Sequence, residues 1–270
     1  IPKTAIGKIQ RTQLVRQFYA GEFAQIRAQY DSLWQKSNTL PAWFHQKVWR
    51  DAPRQGVKLP LERRLTYLIL SDTLGLGAAL QGTLQAAGHA VTLVKAGESY
   101  AQLGVGRYRL NPAAPRHYQQ LVGALTTADA FAIDRVLHLW SYDGVTEVAE
   151  ATQLEAAQTR GLYSLLHLTQ ALAAANCAER PLELLVVTDG VQPTVTGEPV
   201  AYAKAPLLGL LRTLPHELPW LTPRHVDLEC ALPNSAEQQA HQLQQLQAEL
   251  AVITKEAEIA YRGGTRLAPR

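Results

Sequence analysis

The residues best placed to do chemistry lie where an apolar run meets a glycine turn, from Tyr67 to Leu80 (YLILSDTLGLGAAL). The pattern predicts a short buried strand, a tight turn and the start of a helix running to about Ala87. Such a turn can hold the pyrophosphate of a dinucleotide. Its glycines let the backbone come close, and the amides at the helix N-terminus point at the anion. Here Asp72 and Thr73 occupy two positions where glycine is needed. A carboxylate at the mouth of a helix repels the phosphate that the helix would otherwise attract. The loop of Ser71, Asp72, Thr73, Gly75 and Gly77 therefore reads as a degenerate cofactor site, and no cofactor is expected to bind this chain. Lys95, 23 residues beyond Asp72, stands where a basic residue would favour NADP, but the phosphate cradle upstream of it is lost.

A second constellation suggests proton transfer. Thr188 ends an apolar run and Tyr202 follows it. Ketone reductases of the short-chain type place a serine after such a strand and a tyrosine roughly a dozen residues on. A lysine or asparagine one helical turn later then tunes or relays the tyrosine proton. In this chain the residue one turn after Tyr202 is Pro206, which offers no side-chain donor or acceptor, and Lys204 points away on a helix. Prolines 193, 199 and 206 also disfavour the long catalytic helix. Tyr202 is expected to be a surface or packing residue.

Two cysteines, Cys177 and Cys230, and eight histidines among 270 residues form no metal-ligand spacing. Both thiols are expected to be small core residues in a reducing compartment, and no metal is expected. His138 lies inside an apolar strand and reads as a hydrogen-bonded core residue. A net charge of +3 is too small and scattered for nucleic acid. No apolar run is long enough to span a membrane, so a cytoplasmic location is expected. The chain opens on Ile1 and contains no methionine, so it is expected to be a piece of something longer.

Around these residues the chain alternates strands and helices. Arg11 to Asn38 carries apolar residues at helical spacing, namely Leu14, Val15, Phe18 and Tyr19, then Phe23, Ile26, Tyr30, Leu33 and Trp34, with a break at Gly21. Asn38 to Pro41 reads as a linker and Phe44 to Trp49 as a strand. Further strands are expected at 90–94, 108–110, 135–144 (ending in a polar turn), 182–189 and 258–262, with helices at 115–125 and 155–176. The 258–262 strand is polar enough to be an edge or to pair with a missing partner. Ser235 and Gln238 form a capping box opening a helix with Leu243, Leu246 and Leu250 inward and its glutamines facing water. This alternation implies an α/β fold.

Two stretches carry a family resemblance. Ile1 to Arg11 (IPKTAIGKIQR) resembles the last core motif of adenylation domains. The resemblance implies that Lys8 would reach carboxylate and phosphate oxygens during acyl-adenylate formation, provided an ATP-binding core lies upstream. The second stretch is SDTLGLGAAL, YRLNP, VLHLWSYDG, RGLYSLLHLTQAL, LLVVTDGVQPTVTGEPV, APLLGLLRTLPHELPWLTPRHVDLE and EIAYRGGTRLAPR, in order over about 220 residues. It resembles the structural subdomain of modular polyketide synthase ketoreductases, a truncated, cofactor-free half that braces an NADPH-binding catalytic half.

The implied fold is a degenerate Rossmann-like, short-chain-dehydrogenase-like parallel sheet with helices on both faces and an N-terminal helical extension. The implied organisation is an adenylation-domain remnant at 1–17, an amphipathic helical linker at 18–50 and the ketoreductase structural subdomain at 51–270. The implied function is a non-catalytic scaffold in a polyketide synthase or a hybrid nonribosomal peptide synthetase, within natural-product biosynthesis. Its implied partners are the downstream catalytic subdomain, neighbouring synthase domains and acyl carrier protein, with a homodimer through the N-terminal helices as a further option. The alternative is a free-standing short-chain-dehydrogenase-like reductase with an atypical site.

Overall fold

The computed structural model describes residues 3, 7–33, 47–60, 63–127, 130–131, 133–175, 181–195, 197–230, 232 and 235–270. They fall into two compact units, Ile1–Lys47 and Val48–Arg270. The linker at Asn38–Pro41, the segment Phe44–Gln46, Trp34 and Cys177 lie outside the described residues.

In the first unit the helical spacing gives α1 (Arg11–Tyr19) and α2 (Ala24–Leu33). Between them Gly21 takes φ +77°, a backbone conformation that ends the first helix. No residue of α1 is buried.

The second unit holds a ten-stranded sheet. In chain order its strands are β1 (Trp49–Asp51), β2 (Thr66–Ser71), β3 (Ala90–Ala96), β4 (Ala101–Gly104), β5 (Arg107–Leu110), β6 (Arg135–Ser141), β7 (Leu182–Asp189), β8 (Leu221–Leu228), β9 (Glu258–Arg262) and β10 (Thr265–Pro269). Their spatial order is β1-β10-β9-β8-β7-β6-β2-β3-β5-β4. The strands from β9 across to β5 run parallel, and β1, β10 and β4 are antiparallel additions at the two edges. This is the α/β, Rossmann-like architecture. Its order reverses at β2, which puts the crevice for any ligand at the carboxyl ends of β2 and β6.

Helices cover both faces. Leu68 and Leu70 of β2 face a core with α4 (Pro115–Leu125), α6 (Ser164–Ala174) and α7 (Pro206–Glu217). Tyr67 and Ile69 face the other core, with α3 (Leu76–Ala86) and α8 (Ala236–Leu250). A strand buried on both sides needs an unbroken apolar run, which is why 67–70 reads so clearly. Each such side chain contributes about 1.5–3 kcal/mol of burial. His138, in the middle of β6, is fully buried with its Nε2 2.7 Å from Ser164 Oγ. Burial pushes its pKa down to about 4.

Under the last turn of α8, the buried Glu249 carboxylate accepts hydrogen bonds from Arg54 Nε (3.2 Å), Arg224 (3.0 Å), Arg266 Nε (2.7 Å) and Tyr261 OH (2.6 Å). Burial works against its charge. The bonds from Arg266 and Tyr261 and the nearby guanidinium charges outweigh that and hold its pKa below the usual carboxylate value.

Several expectations are corrected. The helix expected from Glu155 starts earlier, as α5 (Ala151–Gln158), and passes through a π-helical stretch at Thr159–Tyr163 into α6. The first strand begins at Trp49. The 258–262 strand is interior, because β10 pairs with it across the Gly263-Gly264 turn. Its polar Arg262 is held by Asp227 and Glu198. Gln242 and Gln245 are buried on α8 rather than facing water, and Gln242 Nε2 donates to the Glu229 carbonyl. Ser235 does cap α8, accepting from Gln238 N, but the Gln238 side chain donates to the Cys230 carbonyl instead of closing a reciprocal box. Cys230 is half-buried, not core. No described helix is long and apolar enough to cross a membrane.

Candidate functional site

The crevice is built by the polar residues that end the central strands. After β2 the chain turns at Asp72, whose carboxylate folds back over the helix mouth. Its Oδ2 accepts from Gly75 N (2.6 Å) and Leu76 N (3.1 Å), and its Oδ1 from Gly77 N (2.6 Å). The turn needs glycine twice. Gly75 takes φ +103° as the cap of α3. A Cβ on Gly77 would come within 2.8 Å of Ser71 Oγ and 3.0 Å of Asp72 Oδ1. These are the amides a dinucleotide fold offers to a pyrophosphate. Here a buried carboxylate of the chain itself already holds them. Rather than standing out across the helix mouth, the Asp72 carboxylate turns back onto these amides. Ser71 is buried and Thr73 is exposed.

Two further aspartates, on β7 and β8, also accept from backbone amides. Asp189, ending β7, accepts from Asp143 N (3.2 Å) and Gly144 N (3.0 Å) and pairs with Lys204 Nζ at 2.6 Å. Lys204 also meets Asp143 at 2.8 Å. Burial opposes the lysine charge, but the two carboxylates outweigh it and raise its pKa. Asp227, in β8, accepts from Thr188 Oγ1 (2.6 Å), Val191 N (3.0 Å), Gln192 N (2.9 Å) and Arg262 (2.7 Å). Three aspartates thus fill three amide cradles along one edge of the sheet.

The proton-transfer constellation does not assemble. Thr188 is fully buried and its hydroxyl is engaged by His225 Nε2 (2.8 Å) and Asp227. Tyr202 is exposed and donates to the Val148 carbonyl at 2.7 Å. Pro206 opens α7 as its first residue, where its fixed φ suits the helix. Tyr202 lies in the short 3-10 turn before that helix. Lys204, expected to point away, is buried in the ion cluster. A signal for this arrangement is the recurrence of aspartate at the carboxyl ends of three strands, in Leu70-Ser71-Asp72, Val187-Thr188-Asp189 and Val226-Asp227.

Lys95 is exposed at the end of β3, in register with Ser71 and Arg109 on its neighbours. Beyond it an open cleft of about 490 Å³ runs past Ala96, Gly97, Pro112, Thr152 and Arg160. Lys8, in the first unit, is exposed beside a short bridge between Lys3 and Ile9. Among the described residues no cluster of histidine, cysteine, aspartate or glutamate is arranged for a metal ion.

The family model described as beta-ketoacyl synthase-like, N-terminal, matches residues 66–249. No curated protein sequence matches this chain. Among solved structures, one described as the adenylation, ketoreductase and pseudo Asub multidomain structure of a keto acid-selecting NRPS module is 26% identical with a TM-score of 0.72. It is matched over 99% of this chain and 21% of its own length. An N-terminal ketoreductase from the macrolactin assembly line matches at 17% identity and TM-score 0.61, over 82% of this chain and 43% of its own. A short-chain dehydrogenase/reductase from Serratia marcescens matches at 17% identity and TM-score 0.53, over 74% of this chain and 96% of its own. The chain therefore spans about a fifth of the first and less than half of the second, and the two weaker likenesses establish the fold.

Proposed function

We propose that this chain, which belongs to the beta-ketoacyl synthase-like, N-terminal family, is the non-catalytic scaffold half of a ketoreductase in a modular synthase. The observation that carries this is the Asp72 carboxylate on the amides of Gly75, Leu76 and Gly77. A fold that fills its own phosphate cradle keeps the sheet and gives up the cofactor. What remains useful is a rigid surface that fixes a neighbouring active site, and holding catalytic groups in place lowers reaction barriers. The likeness to a structure that joins adenylation and ketoreductase domains supports this setting.

In that setting NADPH binds a downstream short-chain-dehydrogenase half, and neighbouring synthase domains and a carrier-bound acyl group complete the assembly. Lys8 acts only if an adenylation core precedes it. A free-standing reductase is disfavoured because the Thr188 and Tyr202 hydroxyls are directed to separate partners.

The test is co-expression in trans with a catalytic half that has an intact glycine-rich turn. The halves should associate, and NADPH-dependent reduction of a carrier-bound keto acyl group should require this chain. A catalytic half equally stable and active without residues 51–270 overturns the scaffold role. This chain alone should show no NADPH affinity tighter than about millimolar by calorimetry.

A further inference from the structure

The first unit differs from the rest of the chain in charge. Residues 1–47 contain seven lysines and arginines against two acids, while the remaining residues carry a slight acidic excess. Among the described residues of this unit none is buried. Helices of nine and ten residues are too short to persist on propensity alone. The apolar side chains of α1 and of Phe23 in the following turn nevertheless converge. Leu14, Val15, Phe18, Tyr19 and Phe23 line a cavity of about 420 Å³, and Val15, Phe18 and Tyr19 are exposed, Tyr19 by 85%.

The cations lie on this same face. Arg11 shares the stripe of Leu14, Val15 and Phe18 by helical spacing. The Arg27 guanidinium lies 5.6 Å from the centre of the Phe18 ring. Helix α1 contains no acid at all.

From this we infer that the segment of α1 and the turn after it is a docking site for an acidic amphipathic helix of another protein domain. A large apolar side chain of that helix enters the cavity, and flanking aspartates or glutamates meet Arg11 and Arg27. Helix-in-groove recognition uses apolar anchors for affinity and rim charges for partner choice. A second copy of this chain is the poorer occupant, because it would bring the same arginines against one another. A lipid surface is also the poorer occupant, since interfacial helices present a continuous convex apolar face rather than a cavity. The inference is independent of the scaffold reading, since its test involves no reductase half.

The test uses the whole chain and two synthetic helical peptides with one leucine–phenylalanine stripe, flanked by glutamates in one and lysines in the other. By fluorescence anisotropy the glutamate peptide should bind, and the lysine peptide at least about tenfold more weakly. Raising salt from about 0.05 to about 0.5 M should weaken the glutamate complex by about tenfold. Arg11→Glu with Arg27→Glu should do the same at low salt, and Arg27→Lys should largely preserve binding. Circular dichroism of each variant should overlay that of the parent chain. The inference is overturned if both peptides bind alike or if neither binds. It is also overturned if the chain sediments as a dimer that Phe18→Ala dissolves, or if phosphatidylserine vesicles compete the glutamate peptide away.

Discussion

Two groups of buried charge in the Val48–Arg270 unit use carboxylates differently. In the crevice, Asp72 accepts from backbone amides, Asp189 from amides and the Lys204 ammonium, and Asp227 from amides, the Thr188 hydroxyl and Arg262. Under α8, Glu249 meets three guanidinium groups and a phenol, all from side chains. Backbone amides are part of the fold and persist whatever the sequence, and in the crevice internal carboxylates satisfy them. The arginines around Glu249 are there by sequence alone and tie strands β8 and β10 and the segment after β1 to α8. The crevice thus satisfies backbone amides with internal carboxylates, whereas the second group is a clamp between side chains.

The comparison breaks most visibly at the clamp. Glu249→Gln leaves buried guanidinium groups without their counter-charge and should cost about 3–5 kcal/mol in urea unfolding. Because the Glu249 pKa is lowered in the fold, its contribution is complete above the usual carboxylate value and disappears as pH falls through the depressed one. An unchanged midpoint in the variant would mean the cluster is no clamp.

Next in size is the neutral reference between the two groups, His138. Its folded pKa of about 4 lies below the ordinary 6.5. The fold should therefore lose about 3 kcal/mol as pH drops from 6.5 to 4. Stability curves of His138→Gln should lack that part of the slope. An identical slope in the variant would assign the acid loss elsewhere.

Asp72→Ala should cost about 2 kcal/mol, as a lost helix cap does. Here the two groups should part. Phosphate at ~20 mM should return about 1 kcal/mol to Asp72→Ala by occupying the vacated amides. It should return nothing to Glu249→Gln. Equal responses would erase the distinction between the crevice and the clamp.

The smallest effect is expected at Tyr202. Tyr202→Phe removes one exposed bond to the Val148 carbonyl and should change stability by no more than about 0.5 kcal/mol. In the two-half assembly it should leave reduction unchanged. A large loss of reductase activity would return Tyr202 to catalysis.

What could be read from the chain alone follows from which signals are local. Pro115 at the start of α4 and the unbroken run 182–189 fix their elements by backbone chemistry and double-sided burial, and both were legible to the residue. The hairpin strands β4 and β10 were not, since strands of four and five residues lack a long apolar run, although Gly263-Gly264 between β9 and β10 is a hairpin signal. Gln242 and Gln245 were read outward because amides usually face water. Gln242 is inward because it lies between the Tyr142 hydroxyl and the Glu229 carbonyl. Asp72 was legible as a disruption but not as a substitute ligand. Sequence shows that a carboxylate is present, while only the side-chain direction shows that it turns back onto Gly75 and Gly77.

The pairing of β1 with β10 has a consequence for the rim of the sheet. Val48 and Arg270, far apart in sequence, exchange backbone hydrogen bonds at 3.3 and 2.8 Å, and β1 lies along β10 in antiparallel register. A row of strand amides and carbonyls left bare is a template for a passing strand, and three residues of β1 are enough to occupy that row on β10.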